Sequence, residues 1–247
     1  MDSMKRPVVL ITFSGIDGAG KSTQIDLLSA NMTAAGARIV RLSFWDNVVV
    51  WSSLRERSAH RIFRGEKGAG SPDRPVARRD KNVKSWYLTA IRMLFYLVDA
   101  IRLNFVARGR LARGPDAVIF DRYIYDELAN LPIDDPWMKR YVRLVLRLTP
   151  TPGIACLLDA DPIQATQRKP EYPLDFVHAN RKAYLALSKL EPAIRVIGPA
   201  SVPEVQEQIL KELMRLRSTK LPCPAFIDLM SASPGMTSGM TSSARPV

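Results

Sequence analysis

Residues 7–23 read PVVLITFSGIDGAGKST, and this stretch decides the fold. Residues 7–13 form a short apolar run rich in β-branched residues, which is typical of a buried parallel strand. Residues 22–35 follow with apolar residues at helical spacing. Between them, residues 15–22 fill every fixed position of G-x-x-x-x-G-K-[ST], and a strand before and a helix after are the context that this motif requires.

This loop predicts a triphosphate site. Its glycines allow backbone N–H groups to surround a phosphate at a helix N-terminus, Lys21 neutralises phosphate oxygens, and Ser22 offers its hydroxyl to a metal. The alternative is a glycine turn with a surface lysine, which the flanking strand and helix disfavour. We therefore expect ATP and Mg²⁺ as cofactors, bound by Gly15, Asp17, Gly18, Ala19, Gly20, Lys21, Ser22 and Thr23.

The rest of the chain alternates strands with helices. Further strands are expected at residues 37–43, 116–120, 153–158 and 194–197, and a long helix at residues 82–113. A last helix begins at Ser201, with Glu204 completing a capping box. The pattern predicts an α/β protein of the P-loop NTPase fold, with a five-stranded parallel sheet and helices on both faces.

Residues 1–216 are expected to form one domain. Residues 217–247 are expected to be a disordered tail, because residues 231–247 are too poor in large apolar residues to bury a core. Cys156 and Cys223 are expected to be free thiols, and no signal peptide or membrane span is recognised. We expect a cytoplasmic protein that does not bind membranes.

The net charge of +12 favours anionic partners. Half of that charge lies between residues 55 and 84, where ten Lys or Arg residues face four Asp or Glu. A protein that binds ATP can transfer a phosphoryl group to a second molecule, the acceptor. We expect the wider segment, residues 47–84, to cover the acceptor site, with Arg74, Arg78 or Arg79 contacting phosphate. The alternative is a solvated basic face. No nucleic-acid partner is expected.

A second motif, Asp121-Arg122-Tyr123, follows the third predicted strand. Parallel strands end at one edge of a sheet, so these side chains should lie beside the P-loop. Asp121 is then expected to hold Mg²⁺ and Arg122 to bind an acceptor phosphate with its two-pronged guanidinium. The alternative is that Asp121 caps the next helix and Arg122 is solvated.

The chain resembles the thymidylate kinase family of nucleoside monophosphate kinases. The resemblance is carried by FSGIDGAGKSTQ at residues 13–24, DRY at residues 121–123 and LDADP at residues 158–162. Arg181 and Tyr184 also match the helix that follows the family's lid. The resemblance spans roughly residues 7–215 and implies transfer of phosphate from ATP to a nucleoside monophosphate, dTMP foremost, by a homodimer that associates through its helices.

The resemblance also implies roles for single residues. Asp17 is expected near the 3′-hydroxyl of the acceptor sugar, Arg122 at its phosphate and Phe95 against its base, although an aromatic residue at helical spacing is also typical of a core. Asp99 stands where the family has a base-reading arginine, and residues 43–46 replace a proline-bearing segment. Phe44 and Asp99 are therefore expected to shape the acceptor pocket.

The lid is expected at about residues 163–175, with Arg168 reaching the transferred phosphoryl group. Lys21, Asp121, Arg122 and Arg168 form the expected catalytic set. Two alternatives stay open: a kinase for a nucleoside or another phosphorylated small molecule, and a nucleotide-binding regulatory protein with little transfer activity.

Overall fold

The computed structural model describes residues 8–49 and 86–220, which build a parallel sheet of five strands in the order β2-β3-β1-β4-β5. The strands are β1 (Val9–Ser14), β2 (Ile39–Ser43), β3 (Ala117–Asp121), β4 (Ile154–Leu158) and β5 (Ile194–Ile197). The helices are α1 (Lys21–Ala34), α2 (Phe44–Asn47), α3 (Trp86–Leu111), α4 (Ile124–Leu128), α5 (Pro136–Leu148), α6 (Pro162–Arg168), α7 (Leu174–Ser188) and α8 (Val202–Lys220). The predicted fold class is confirmed.

Both faces of the sheet are buried, and alternate residues of each strand serve opposite faces. In β1, Leu10 packs with α3, α4, α5 and α7, whereas Ile11 and Phe13 pack with α1 and α8. This two-sided burial explains why the strands are almost continuously apolar in sequence. It also fixes the register, because a shift by one residue would exchange the two faces.

Helix α3 buries a different face from the one that its largest apolar residues suggest. Tyr96, Ala100, Leu103 and Ala107 pack into the core. The outward face carries five large apolar residues, namely Ile91, Leu94, Val98, Ile101 and Phe105. Both faces have helical spacing, so the sequence pattern predicted the helix but could not say which stripe is buried.

The predicted capping box at the start of α8 forms only in part. Glu204 accepts a hydrogen bond from the backbone N–H of Ser201 at 2.9 Å, as expected. The hydroxyl of Ser201 donates to the same carboxylate at 2.7 Å instead of accepting from the helix backbone. Both bonds lower the pKa of Glu204, because they stabilise its charged form.

Several sequence-based expectations lie outside the described residues. These are the basic segment between residues 50 and 84 with Arg74, Arg78 and Arg79, the tail from residue 221 onward, and Cys223. Helix α8 itself continues to Lys220, past the expected domain end at residue 216. Cys156 is buried in β4, where burial raises the pKa of its thiol. No helix in residues 8–49 and 86–220 has both the length and the hydropathy needed to cross a bilayer.

The sheet register brings the two sequence motifs together. Phe13 at the end of β1 pairs with Asp121 at the end of β3. The backbone N–H of Arg122 then donates to the carbonyl oxygen of Phe13 at 2.9 Å. The loop after β1 and the Asp121-Arg122 pair therefore leave the same edge of the sheet on neighbouring strands.

Candidate active site

The glycines of the loop between β1 and α1 are required for two different reasons. A Cβ atom on Gly15 would lie 2.5 Å from the carbonyl oxygen of Leu158, and one on Gly18 would lie 2.3 Å from that of Ala165. Gly20 has open space around it, but its φ of 86° lies in the left-handed region. β4 and α6 thus press against the loop at its first two glycines, while the third leaves room at the N-terminus of α1.

Lys21 lies folded over this loop. Its Nζ donates to the carbonyl oxygens of Gly15 at 2.8 Å and Ile16 at 2.9 Å, and it lies 3.9 Å from the carboxylate of Asp17. Burial, together with the positive charge of Arg122, lowers the pKa of Lys21 to about 8. Lys21 is the first residue of α1, so its positive charge adds to that of the helix N-terminus. Together they favour the binding of an anion.

Arg122 reaches the P-loop from the end of β3. Its backbone has a φ of 64°, the left-handed conformation, which is rare for a residue with a side chain. Its Nη2 donates to the carboxylate of Asp17. Burial opposes the charge of Asp17, but the neighbouring Arg122 and Lys21 outweigh it and hold the pKa of the carboxyl below its usual value. The two predicted acceptor-side residues are therefore in direct contact.

Asp126 is a buried neighbour of Arg122 that the sequence did not reveal. It lies in the first turn of α4, and its buried carboxylate faces Nη1 of Arg122 at 3.4 Å. Burial lowers the pKa of Arg122, but the charges of Asp126 and Asp17 more than compensate and raise it, so the guanidinium is charged. An acidic residue in the first turn of a helix usually indicates a cap or a favourable dipole contact, and nothing in the sequence distinguishes this one.

Helix α6 and the turn after it lie against the P-loop. Nη1 of Arg168 donates to the carbonyl oxygen of Gly18 at 3.3 Å, while the side chain as a whole is exposed. The next residue, Lys169, pairs with Glu171 at 3.2 Å, and its charge helps to lower the pKa of Asp17. The structure therefore places the predicted lid arginine beside the phosphate-binding loop, together with a second cation.

The expected metal ligands are Ser22, in the first turn of α1, and Asp121, the last residue of β3. Ser22 and Thr23 are exposed at the start of α1, and Asp121 is half-buried at the end of β3. Within residues 8–49 and 86–220, His, Cys, Asp and Glu side chains form no group of three that could hold a metal. One hydroxyl and one carboxylate fit Mg²⁺, which keeps most of its water and binds through substrate phosphates.

The expected acceptor-pocket residues occupy different environments. Phe44 is fully buried in the core with its ring against Trp45, centroids 6.1 Å apart, and Trp45 is exposed. Phe95 is half-buried on α3, and Asp99, one turn later, is fully buried. Asp99 raises the pKa of Tyr141, which burial also raises. Contact of these residues with an acceptor stays a prediction.

Helix α7 anchors the far side of the site through two polar residues. Arg181 makes a bidentate contact with Asp159, the residue directly after β4. Its Nε donates to Oδ1 at 2.6 Å and its Nη2 donates to Oδ2 at 2.7 Å. Tyr184, one turn later on α7, donates its hydroxyl to Asp126 at 2.9 Å. Helix α7 is thus tied both to the residue that follows β4 and to α4, the helix that follows β3.

Comparison with known proteins identifies relatives of this arrangement. No protein-family model matches the chain. A thymidylate kinase from Solidesulfovibrio magneticus is 28% identical over 217 residues, covering 79% of this chain and 93% of the relative. One from Bifidobacterium longum subsp. infantis is 26% identical over 243 residues, covering 94% and 95%.

A solved structure shares the fold. The thymidylate kinase from Ehrlichia chaffeensis superposes with a TM-score of 0.51 at 20% identity, covering 83% of this chain and 98% of that one. The sequence matches extend over nearly the whole length of both bacterial relatives. These sequence similarities support the assignment of the chain as a divergent member of the thymidylate kinase family.

Proposed function

We propose that this protein transfers the γ-phosphoryl group of ATP to the phosphate of a nucleoside monophosphate, with dTMP, the acceptor named by its relatives, as the leading substrate. The observation that carries the proposal is the contact between Arg122, at the end of β3, and Asp17 in the P-loop. In-line transfer needs the donor and acceptor phosphates to be held side by side, and this contact supports such an arrangement if Arg122 binds the acceptor phosphate and the loop binds ATP.

The residues of the P-loop supply charge at the donor side. Backbone N–H groups at the start of α1 would hold the β-phosphate, and Lys21 would exchange its bonds to the Gly15 and Ile16 carbonyls for phosphate oxygens. Mg²⁺ held by Ser22 and Asp121 would neutralise the β- and γ-phosphates. The acceptor phosphate is itself anionic, so no general base is required, and positioning and charge neutralisation carry the rate.

Arg122 follows β3 and Arg168 ends the helix after β4, so the two arginines come from segments that follow the two strands on either side of β1. Arg122 is proposed to bind the acceptor phosphate, and Arg168, whose guanidinium lies by Gly18, to stabilise charge on the phosphoryl group in transit. Asp17, between Lys21 and Arg122, is proposed to orient the acceptor sugar. These three assignments rest on the closeness of each side chain to the P-loop, because a side chain must lie within reach of the reacting groups before it can act.

A second candidate is a kinase for a different acceptor base. The observation that favours it is Asp99, a buried carboxylate four residues after Phe95 on α3. A carboxylate accepts hydrogen bonds and cannot donate to a carbonyl group as arginine does. Asp99 would therefore favour a base that presents an amino group over thymine.

The decisive experiment is an ADP-release assay across dTMP, dUMP, CMP, dCMP, AMP, GMP and unphosphorylated nucleosides. The leading proposal expects the highest kcat/KM with dTMP, whereas the Asp99 argument expects it with an amino-bearing base. A Lys21→Met variant should lose activity by at least about a hundredfold, since the charge on the transferring phosphate is no longer neutralised. ATP binding without phosphorylation of any acceptor would overturn the kinase assignment in favour of a regulatory protein.

We also propose that the kinase is a homodimer joined through α3. Its outward stripe carries Ile91, Leu94, Val98, Ile101 and Phe105, and Phe105 is 76% exposed. A continuous apolar stripe on a long helix is the kind of surface that a second copy buries. Light scattering should find a dimer that Phe105→Asp dissociates, while Leu144→Asp on α5, also an exposed site, leaves it intact. A monomeric wild-type protein would contradict this arrangement.

The described residues are proposed to form a single domain. We propose that one kinase domain includes everything from β1 to α8, and that it acts in the cytoplasm. The two core clusters that sandwich the sheet draw on elements from both ends of this span, which supports a single folding unit.

A further inference from the structure

The carboxylate of Asp126 is buried at the centre of a small polar network. Its Oδ2 accepts from the hydroxyl of Ser14 at 2.6 Å and from the backbone N–H of Tyr123 at 3.1 Å. Its Oδ1 accepts from the hydroxyl of Tyr184 at 2.9 Å and faces Arg122 at 3.4 Å. Ser14 ends β1, Arg122 and Tyr123 directly follow β3, and Tyr184 lies on α7, so the carboxylate is fixed from several sides.

A carboxylate this deeply buried needs compensating charge. Only 1% of the Asp126 side chain is exposed, and its charge acts to raise the pKa of two neighbouring cations, Arg122 and Lys21. Burial and the charge of Asp126 raise the pKa of Tyr184 well above its usual value, so its hydroxyl stays protonated and remains a donor. A buried carboxylate with satisfied hydrogen bonds is a rigid point of attachment for a guanidinium.

Arg122 is held between two carboxylates that differ in access. Its Nη2 binds Asp17, whose side chain is 19% exposed in the cleft, and its Nη1 faces Asp126, which is 1% exposed. An acceptor phosphate approaches from the cleft and therefore competes with Asp17. The contact with Asp126, on the protein side, can persist while the phosphate binds.

We propose that Asp126, held in place by Ser14 and Tyr184, is the positioning residue that orients Arg122 for the acceptor phosphate. Tyr184 lies on the helix that follows the lid, and the same helix is anchored to Asp159 by Arg181. Through Tyr184 and Asp126, the orientation of Arg122 thus depends on the position of α7. This inference rests on the proposed function, because it presupposes that Arg122 binds the acceptor phosphate.

The test compares Asp126→Asn and Tyr184→Phe with the wild-type chain. Asparagine keeps the size and one accepting oxygen but removes the charge that faces Arg122 and replaces the second accepting oxygen with an NH2 group. An arginine that contacts the acceptor's own phosphate contributes equally in the ground and transition states, so the acceptor KM should rise about tenfold while kcat and the KM for ATP change little. Tyr184→Phe should shift the acceptor KM in the same direction by a smaller factor.

Tyr123→Phe is the matched control. It also removes one buried tyrosine hydroxyl, which donates to the carbonyl oxygen of Pro150 at 2.6 Å and not to the Asp126 network. Its acceptor KM should equal that of the wild type. If Asp126→Asn leaves the acceptor KM unchanged, or if Tyr123→Phe raises it as much as Tyr184→Phe does, the positioning role is overturned.

A second measurement separates this inference from the proposed function. The ¹⁵N relaxation of the Arg122 Nε–H group reports side-chain order without any substrate, with Arg122→Lys identifying the signal. Order in the wild type and disorder in Asp126→Asn would support the positioning role even if no monophosphate is phosphorylated, an outcome that would overturn only the kinase proposal. Equal order in both proteins would overturn the positioning role itself.

Discussion

Arg122 donates a hydrogen bond to Asp17 across 105 positions of sequence, and this contact joins the end of β3 to the P-loop. The left-handed backbone of Arg122 and its N–H bond to Phe13 direct the side chain toward the loop. The guanidinium therefore sits at the boundary between the proposed donor and acceptor sites before any ligand binds.

Replacing Arg122 with lysine should separate charge from geometry. Lysine keeps the positive charge but loses the planar fork that binds Asp17 and faces Asp126. We expect kcat/KM for the acceptor to fall by about 10- to 100-fold, corresponding to about 1.5–3 kcal/mol for hydrogen bonds to charged groups. Steady-state kinetics with the preferred monophosphate measures this. A variant with unchanged acceptor kinetics would show that Arg122 does not touch the acceptor.

Lys21 should make the stability of the protein depend on pH in the alkaline range. Its pKa is about 8 in the folded protein and 10.5 in the reference state. The unfolded chain therefore binds more protons between these values, and the cost of the buried charge is relieved as the pH rises through this window. The free energy of unfolding of the wild type, relative to Lys21→Met, should increase from pH 8 to pH 10, by at most about 1.4 kcal/mol per pH unit. A flat difference would contradict the lowered pKa.

ATP binding should take up protons near pH 8. Phosphate oxygens stabilise the charged form of Lys21, so its pKa should rise on binding. Titration calorimetry of ATP with Mg²⁺ in two buffers of different ionisation enthalpy measures the number of protons transferred. We expect a fractional uptake at pH 8.5 that is smaller at pH 7 and lost in Lys21→Met. Equal uptake in the variant would assign the proton to another group.

Substitution of alanine for Gly18, Gly20 or Gly109 should change the free energy of unfolding by different amounts. At Gly20 the new Cβ meets nothing, so only the left-handed backbone costs free energy, about 1–2 kcal/mol. At Gly18 the same cost is joined by a clash with the carbonyl oxygen of Ala165 at 2.3 Å. At Gly109, inside α3 with open space, alanine should stabilise by about 0.5–1 kcal/mol.

Chemical denaturation orders these variants directly. The expected order of stability is Gly109→Ala above wild type, then Gly20→Ala, then Gly18→Ala. If Gly18→Ala were as stable as Gly20→Ala, α6 would not press on the P-loop as described.

The ion pair between Arg181 and Asp159 should stabilise the packing of α7 beside the end of β4. Arg181→Lys removes the two-pronged contact, which lysine cannot make, and we expect a loss of about 1 kcal/mol in the free energy of unfolding. A double-mutant cycle with Asp159→Asn measures the coupling between the two side chains. Arg195→Lys, at an exposed single-pronged pair with Glu212, is the control and should change stability less. Zero coupling between Arg181 and Asp159 would contradict the anchoring role.

The sequence alone was enough to predict the sheet and its P-loop. The central strands β1, β3 and β4 are almost continuously apolar, and the edge strands β2 and β5 are mostly apolar with one arginine each. Alternation of such runs with helical stretches predicts their number, their order along the chain and their parallel direction. The fifth strand, Ile194–Ile197, was predicted at its observed bounds, and the others within about two residues. Lys21, Ser22 and Arg122 were predicted as site residues because their motifs have fixed spacing and parallel strands end at one edge; the structure brings the two motifs together at that edge.

Only the tertiary structure revealed the residues that support this site. Asp126 and Tyr184 are 58 positions apart, and their contact depends on how α7 packs against α4. The same limit applies to α3, where two apolar stripes have the same period and packing decided which one is buried. Periodicity and motifs are local properties of the chain, and so the sequence determined the fold and the phosphate-binding loop. Long-range contacts between buried polar groups depend on the relative placement of whole elements, and that placement is a property of the folded molecule.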